Sequence, residues 1–445
     1  MTVRWSEHDR EILRLAVPAF FALVAEPLYV LTDTAIVGHL GTPELAGLSA
    51  ASAVLLTGYS IFIFLAYGTT STVARLLGAG QMRRAAEQAV QSLWLAAAIG
   101  ALLVVAGLLL AEPLLAVFTR DPDVRANGLV YLRISVLGAP AMLLTLAGVG
   151  YLRGLQDTRR PLVVALVTAL VNLVVEVVLI YGLGFGIGAS AASTVLAQWL
   201  GAGAYLVWIH RAVRSHHVAL SPDLSAIRSL SRIGMHLFVR TIALRGSFTI
   251  AAIAAARIGT VELAAHEVAF QILFLLALAL DAVAIAGQSL VGRLLGAGDA
   301  PVARGAANRM IGWAVLIATV AGAVVLALRT VLPGIFSGDP AVEDLTAFLL
   351  IHVAVMQPVN GAVFALDGIL IGAGDQRYLA YAMVGAAALF VPAVVLIVDL
   401  DLGIGWLWLA IEGLMVARLV PLALRYRSDR WLVLGAPPSS ASPVL

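Results

Sequence analysis

Apolar stretches about 20 residues long recur twelve times along this 445-residue chain. They lie near 12–38, 45–74, 88–110, 128–150, 161–181, 187–209, 233–256, 263–291, 306–328, 345–371, 379–398 and 403–424. A helix of that length crosses ~30 Å of hydrocarbon. Hydrophobic residues make up 61% of the sequence and charged residues only 12%, too little polar surface to cover a soluble core of this size. The expected fold is all-α and integral to the membrane, with twelve transmembrane helices.

The basic residues orient those helices. All 28 are arginine, and lysine is absent. The N-terminus, the C-terminal tail and the loops after spans 2, 4, 6, 8 and 10 hold 21 of them. The opposite side has at most Arg120, Arg125, Arg133, Arg257 and Arg329, while Arg240 and Arg245 fall inside span 7. Positive residues collect on the cytoplasmic side, so both termini are expected in the cytoplasm of a multi-pass protein of the cell's inner (plasma) membrane. The polar N-terminal segment lacks the pattern of a cleaved signal peptide, so the first span is expected to be retained.

Several chemistries are excluded by composition. No cysteine means no disulfide, thiolate metal site or cysteine nucleophile. No lysine means no Schiff base and no P-loop lysine. His-Glu-x-x-His, Gly-x-Ser-x-Gly and Walker A sequences are all missing, and a net charge of +2 without a basic patch gives nucleic acid no footprint. The expectation is a protein that is not an enzyme, needs no cofactor and has the lipid bilayer and small molecules as its partners, in a monomer.

Internal duplication narrows the class. Gly41-Thr-Pro-Glu-Leu-Ala46 recurs as Gly259-Thr-Val-Glu-Leu-Ala264, and Arg75-Leu-Leu-Gly-Ala-Gly80 as Arg293-Leu-Leu-Gly-Ala-Gly298, both at an offset of 218. Over 41–80, 16 of 40 positions are identical without a gap. The same offset pairs Asp121-Pro122 with Asp339-Pro340, and Gly154 and Asp157 with Gly372 and Asp375. Each copy carries six spans, so the two keep one orientation and form two pseudo-symmetric six-helix bundles, an arrangement found among secondary transporters. The expected organisation is an N-terminal lobe at 1–215, a linker at 216–232, a C-terminal lobe at 233–427 and a tail at 428–445.

Ionisable groups at bilayer depth are costly and usually functional. In the first half they are Glu26, Asp33 and Glu176, accompanied by Asn172 and Thr194. Asn172 and Glu176 are four apart, one turn along one helix face. Pro18 and Pro27 precede Asp33 in its span and invite a bend there. Oxygen donors of this kind suit a hard cation, and two carboxylates meeting in a low dielectric suit a proton. At the repeat offset Asp33 faces Ala251, and the counterparts of Asn172 and Glu176 fall among the apolar Phe390–Val395. In the second half the polar set is Arg240, Arg245, His266, Glu267, Asp281, Asp367 and Glu412. His266 and Glu267 sit near a span end and read as interfacial and solvated. The arginines read as pairing with acids or snorkelling.

Three stretches resemble the multidrug and toxic compound extrusion (MATE) transporters, and within them the DinF-type branch. They are Glu26-Pro-Leu-Tyr-Val-Leu-Thr-Asp-Thr-Ala-Ile-Val-Gly-His-Leu-Gly41, Ala264-Ala-His-Glu267 onward to Leu280-Asp281, and Leu366-Asp-Gly-Ile-Leu-Ile-Gly372. The resemblance implies a V-shaped pair of lobes and cation-coupled export of amphipathic, often cationic compounds. It implies an N-lobe site for the coupling H⁺, or Na⁺, at Asp33, Asn172, Glu176 and Thr194, with Tyr131 nearby. The second carboxylate is commonly Asp in the family and is Glu176 here, which leaves both ions open. Asp281 and Asp367 resemble acids of the C-lobe. With Gln271 and Arg240 they are the candidates for a substrate cavity or second coupling element. The alternative is a lipid-linked-sugar flippase of the same superfamily, which would need cationic cavity residues.

Overall fold

The computed structural model of this protein describes residues 7–437, so the tips of the chain at 1–6 and 438–445, including the end of the expected tail, lie outside the described residues. Among the described residues, twelve helices are long and apolar enough to cross a membrane. In chain order they are α1 (Glu7–Gly38), α2 (Thr42–Gly78), α3 (Met82–Phe118), α4 (Pro122–Gly154), α5 (Arg159–Gly182) and α6 (Ile187–Ser215). The second half supplies α7 (Leu224–Ile258), α8 (Thr260–Gly296), α9 (Ala300–Leu328), α10 (Pro340–Ala373), α11 (Gln376–Asp399) and α12 (Ile404–Arg427). Among the described residues there is no strand.

The repeat is visible in the helix bounds. Thr42–Gly78 and Thr260–Gly296 begin and end 218 residues apart. The duplicated Asp-Pro pairs are helix starts. Asp121 Oδ1 accepts from the backbone N–H groups of Asp123 (2.9 Å) and Val124 (3.1 Å), and Asp339 Oδ1 accepts from that of Ala341 (2.9 Å). Proline follows each cap at the first helical position, where its missing N–H costs nothing. Gly150 and Gly154 of α4 press on α2, and Gly368 and Gly372 of α10 press on α8. A Cβ at Gly150 would stand 2.6 Å from the Ala66 carbonyl oxygen, and one at Gly372 would stand 2.6 Å from that of Gln288. Small residues four apart let two membrane helices approach closely, and both copies keep the device.

Near Gly186-Ile-Gly188 the offset drops to 217, because Gly403-Ile-Gly405 is its partner. The first copy therefore carries one extra residue between Arg159 and Ile187. It is absorbed where α5 turns from α to π geometry at Val178–Gly182, as an inserted residue in a helix is expected to be. The π turn starts two residues after Glu176.

The chain divides into two compact units. One comprises Phe21–Gly234 with Ala436 and Pro437. The other comprises Met235–Gly435 together with the start of α1 up to Phe20. The change of unit within α1 falls between Pro18 and Pro27. The start of α1 is fixed in its unit by charge. Asp9, 0% exposed, accepts from Arg309 (3.1 Å) and from the Trp313 indole (2.8 Å), and Glu11 accepts from Arg293 (2.5 Å). The stretch expected as a linker at 216–232 is helical from Leu224 onward.

Candidate functional site

In the Phe21–Gly234 unit, the arginine-poor ends of α1, α5 and α6 bring buried oxygens together. Asp33 is 6% exposed and Glu176 1% exposed. Asp33 Oδ1 accepts from the Ser190 hydroxyl at 2.6 Å. Glu176 Oε2 accepts from Asn172 Nδ2 at 3.3 Å, across the one-turn spacing. The Glu176 carboxyl also lies within hydrogen-bonding reach of the side chains of Asp33 and Ser190. Glu176 Oε1 and Asn172 Oδ1 are buried without a hydrogen-bond partner among the described residues, a costly arrangement for polar atoms in a low dielectric. Neither carboxylate has a basic partner among the described residues.

Two hydroxyl-bearing groups flank the pair. The Tyr29 and Thr194 hydroxyls share a hydrogen bond of 2.6 Å, and Tyr29 lies within the electrostatic range of Asp33 and Glu176. Tyr131 of α4 is buried and in the same range, packed with Val37, Leu132 and Ala191. All four residues expected at the cation site thus converge with Tyr131, but the hydroxyl on Asp33 belongs to Ser190. Sequence reasoning passed over Ser190 because Ala189-Ser-Ala-Ala-Ser193 reads as a small-residue packing run. Glu26, two turns before Asp33, is exposed.

The other unit holds a cluster of different composition. Asp367 of α10 accepts from Arg418 of α12 at 2.6 Å and is also ion-paired with Arg240 of α7. Arg418 is 3% exposed, and Asp281 of α8, half-buried, acts on it electrostatically. Asp367, Arg240 and Asp281 therefore share a neighbourhood. Gln271 does not join it. It is exposed on α8, ten residues before Asp281 and so about 15 Å away along the helix. Arg418 escapes sequence reasoning because it lies six residues from the expected end of span 12 and groups with the arginines beyond it. Its six-residue depth in the span was the available signal.

One further expectation is corrected. His266 is buried, not solvated. Its ring stacks on Phe270 (centroids 5.8 Å apart) and meets Trp408 edge-on (5.7 Å), because α8 continues past it and α12 covers it. Glu267, on the neighbouring face, is exposed. Glu412 is paired with His352 Nδ1 at 2.8 Å.

The MatE family model matches residues 18–178 and again 237–396, once per copy of the repeat. The chain belongs to the MatE family. Its relatives span almost all of it. Protein DETOXIFICATION 44, chloroplastic, of Arabidopsis thaliana is 32% identical over 96% of this chain and 84% of its own length. DNA damage-inducible protein F of Escherichia coli (strain K12) is 28% identical over 94% of this chain and 92% of its own. The probable multidrug resistance protein NorM of Xanthomonas campestris pv. campestris is 29% identical over 84% of each. A crystal structure of MATE in the bent conformation superposes with a TM-score of 0.87 at 21% identity, over 95% of this chain and 96% of that one. A MOP superfamily transporter from Pyrococcus furiosus reaches 0.86 at 22%, over 95% and 96%. The fold is that of these transporters, and this MatE chain is a multi-pass membrane protein in a family of multidrug and toxin efflux transporters.

Proposed function

We propose that this MatE chain is a proton-coupled antiporter that exports amphipathic, often cationic small molecules by alternating access across the inner membrane, with both termini cytoplasmic. The observation that carries the coupling ion is the meeting of Glu176 and Asp33. Two carboxyl groups within hydrogen-bonding reach of each other, buried and without a basic partner, are held together by one proton between them. Ser190 donates to Asp33 and leaves Glu176 Oε1 free to give or accept that proton. Na⁺ is the second candidate, with Asp33, Glu176, Asn172 Oδ1 and Thr194 as its oxygen donors. Asn172 is already turned so that its amide nitrogen, not its oxygen, faces Glu176, and Thr194 is engaged with Tyr29, which favours the proton.

In this mechanism substrate is carried to the outward-open state, and a proton from outside then enters at Asp33 and Glu176. Loss of the charge removes the reason for the polar cluster to stay open. Pro27, one and a half turns before Asp33, has already freed a backbone carbonyl in α1, so the helix bends there at little cost. The bend narrows the space beside Tyr29 and Tyr131 and expels substrate. Asp367, with Arg240, Arg418 and Asp281, acts as a fixed electrostatic wall of the cavity. Two guanidiniums on one carboxylate also support the flippase alternative, whose substrates carry phosphates.

The test is efflux of ethidium from liposomes under an imposed pH gradient. Export by wild type and its loss in Asp33→Asn support the reading. Full gradient-driven export by Asp33→Asn contradicts it. Movement only of lipid-linked substrates transfers the assignment to the flippase.

A further inference from the structure

A groove of about 720 Å³ opens on the Phe21–Gly234 unit among α3, α4 and α6, at the ends opposite the carboxylate pair. Its apolar wall includes Val90, Leu93, Leu144, Leu206 and Val207, and its mouth carries His210, Arg211 and Arg214. Arg211 and Arg214 are three residues apart on the last turns of α6 and so share a face. Both are exposed, and neither makes an ion pair with any described residue.

One side of the groove is fixed. Trp94 donates its indole N–H to the Leu220 carbonyl at 2.8 Å. One turn earlier Gln91 donates to the Ser221 carbonyl (3.2 Å) and accepts from the Asp223 N–H (2.9 Å). These bonds hold residues 220–223 against α3 and turn a loop into a wall. The Trp94 ring stays 45% exposed, as an amphipathic side chain at the level of lipid headgroups does. From Leu206 to Arg214 the groove runs about 12 Å along α6, from acyl-chain depth to the arginine-rich membrane edge. The second copy lacks the feature. The counterparts of Gln91 and Trp94 are Arg309 and Gly312, and those of Arg211 and Arg214 are Ser428 and Trp431. Trp431 is buried and stacked on Tyr426.

We propose that this groove binds one anionic glycerophospholipid, an acyl chain lying on Leu93, Leu206 and Val207 and the phosphate on Arg211 and Arg214. The spans of this surface are long and apolar enough to lie in a bilayer, the two cations have no counter-ion among the described residues, and a lipid is the molecule that joins an apolar tail to an anionic head across that distance. Basic pockets between membrane helices recognise such headgroups. The site is independent of the carboxylate pair and of the coupling ion.

Native mass spectrometry of the detergent-purified protein tests it, with phosphatidylglycerol and phosphatidylcholine of the same chains as probes. The expected result is a preference for phosphatidylglycerol that falls about five-fold for each guanidinium removed, reaching parity in Arg211→Gln/Arg214→Gln. Both positions are exposed, so the double variant should unfold at the wild-type temperature. Leu206→Trp fills the groove without touching the charges and should weaken both lipids. Equal binding of the two lipids by wild type, or an unchanged preference in the double variant, would overturn the proposal. So would full displacement by glycerol 1-phosphate or indifference to Leu206→Trp, either of which would mark a headgroup site alone.

Discussion

The two copies of the repeat share their helix starts and their glycine crossings, yet each buries a different set of charges at non-equivalent positions. In the first copy Asp33, Asn172, Glu176 and Ser190 form a polar cluster near the arginine-poor ends of their helices. Their counterparts Ala251, Phe390, Val394 and Leu407 are all part of one buried hydrophobic core in the second. Conversely Arg240, Asp367 and Arg418 correspond to Ala22, Val149 and Gly201. One cluster is carboxyl-rich and lacks a compensating cation. The other is an acid between two bases. An uncompensated pair changes state when a proton arrives, whereas a compensated triad is held in one state by its own Coulomb energy. The duplicated scaffold thus provides two bundles, and the substitutions give one a buried carboxyl pair without a basic partner and the other an ion-paired acid.

Exchanging charge for a neutral isostere separates these roles. The largest functional effect is expected from Asp33→Asn. Export should fall to the level of protein-free liposomes while thermal unfolding in detergent changes little, because no buried cation is left stranded. The largest stability effect is expected from Asp367→Asn, which removes the acid that ion-pairs both Arg240 and Arg418 and should cost about 3–5 kcal/mol in the same unfolding measurement. If that change left stability intact and abolished coupling, the contrast between the copies would be reversed.

Smaller changes sharpen it. Ser190→Ala removes the short bond to Asp33 and should lower stability by about 1.5–3 kcal/mol, the range for a hydrogen bond to a charged group. Export should weaken but persist, since both carboxyls remain. Thr194→Val breaks only the Tyr29 contact, for about 0.5–1.5 kcal/mol, and should leave proton-driven export near wild type. Sodium coupling would show itself here instead, as a raised Na⁺ requirement in the Thr194 variant, measured by efflux at graded Na⁺.

Much of this was legible before the structure. Twelve spans and the offset of 218 follow from hydropathy and from identities such as Arg75–Gly80 and Arg293–Gly298, since membrane helices must be long and apolar wherever they pack. Asp33, Asn172 and Glu176 stood out because charge and amide groups are rare at that depth. Ser190 did not, because a serine hydroxyl is cheap to bury and only its three-dimensional neighbour reveals its use. Arg418 was hidden by the uncertainty of a helix end. The burial of His266 depends on Trp408, 142 residues away, and no local pattern carries that. The π turn after Glu176 shows only as a one-residue change in the repeat offset.

The central claim, that Asp33 and Glu176 carry the coupling proton, is tested most directly by proton release in weakly buffered detergent solution with a pH-indicator dye. Adding a cationic substrate to wild type should release about one proton per chain from the pair, without any need for Na⁺, and Glu176→Gln should release none. Unchanged release from Glu176→Gln, or release that appears only with Na⁺ present, would contradict the account.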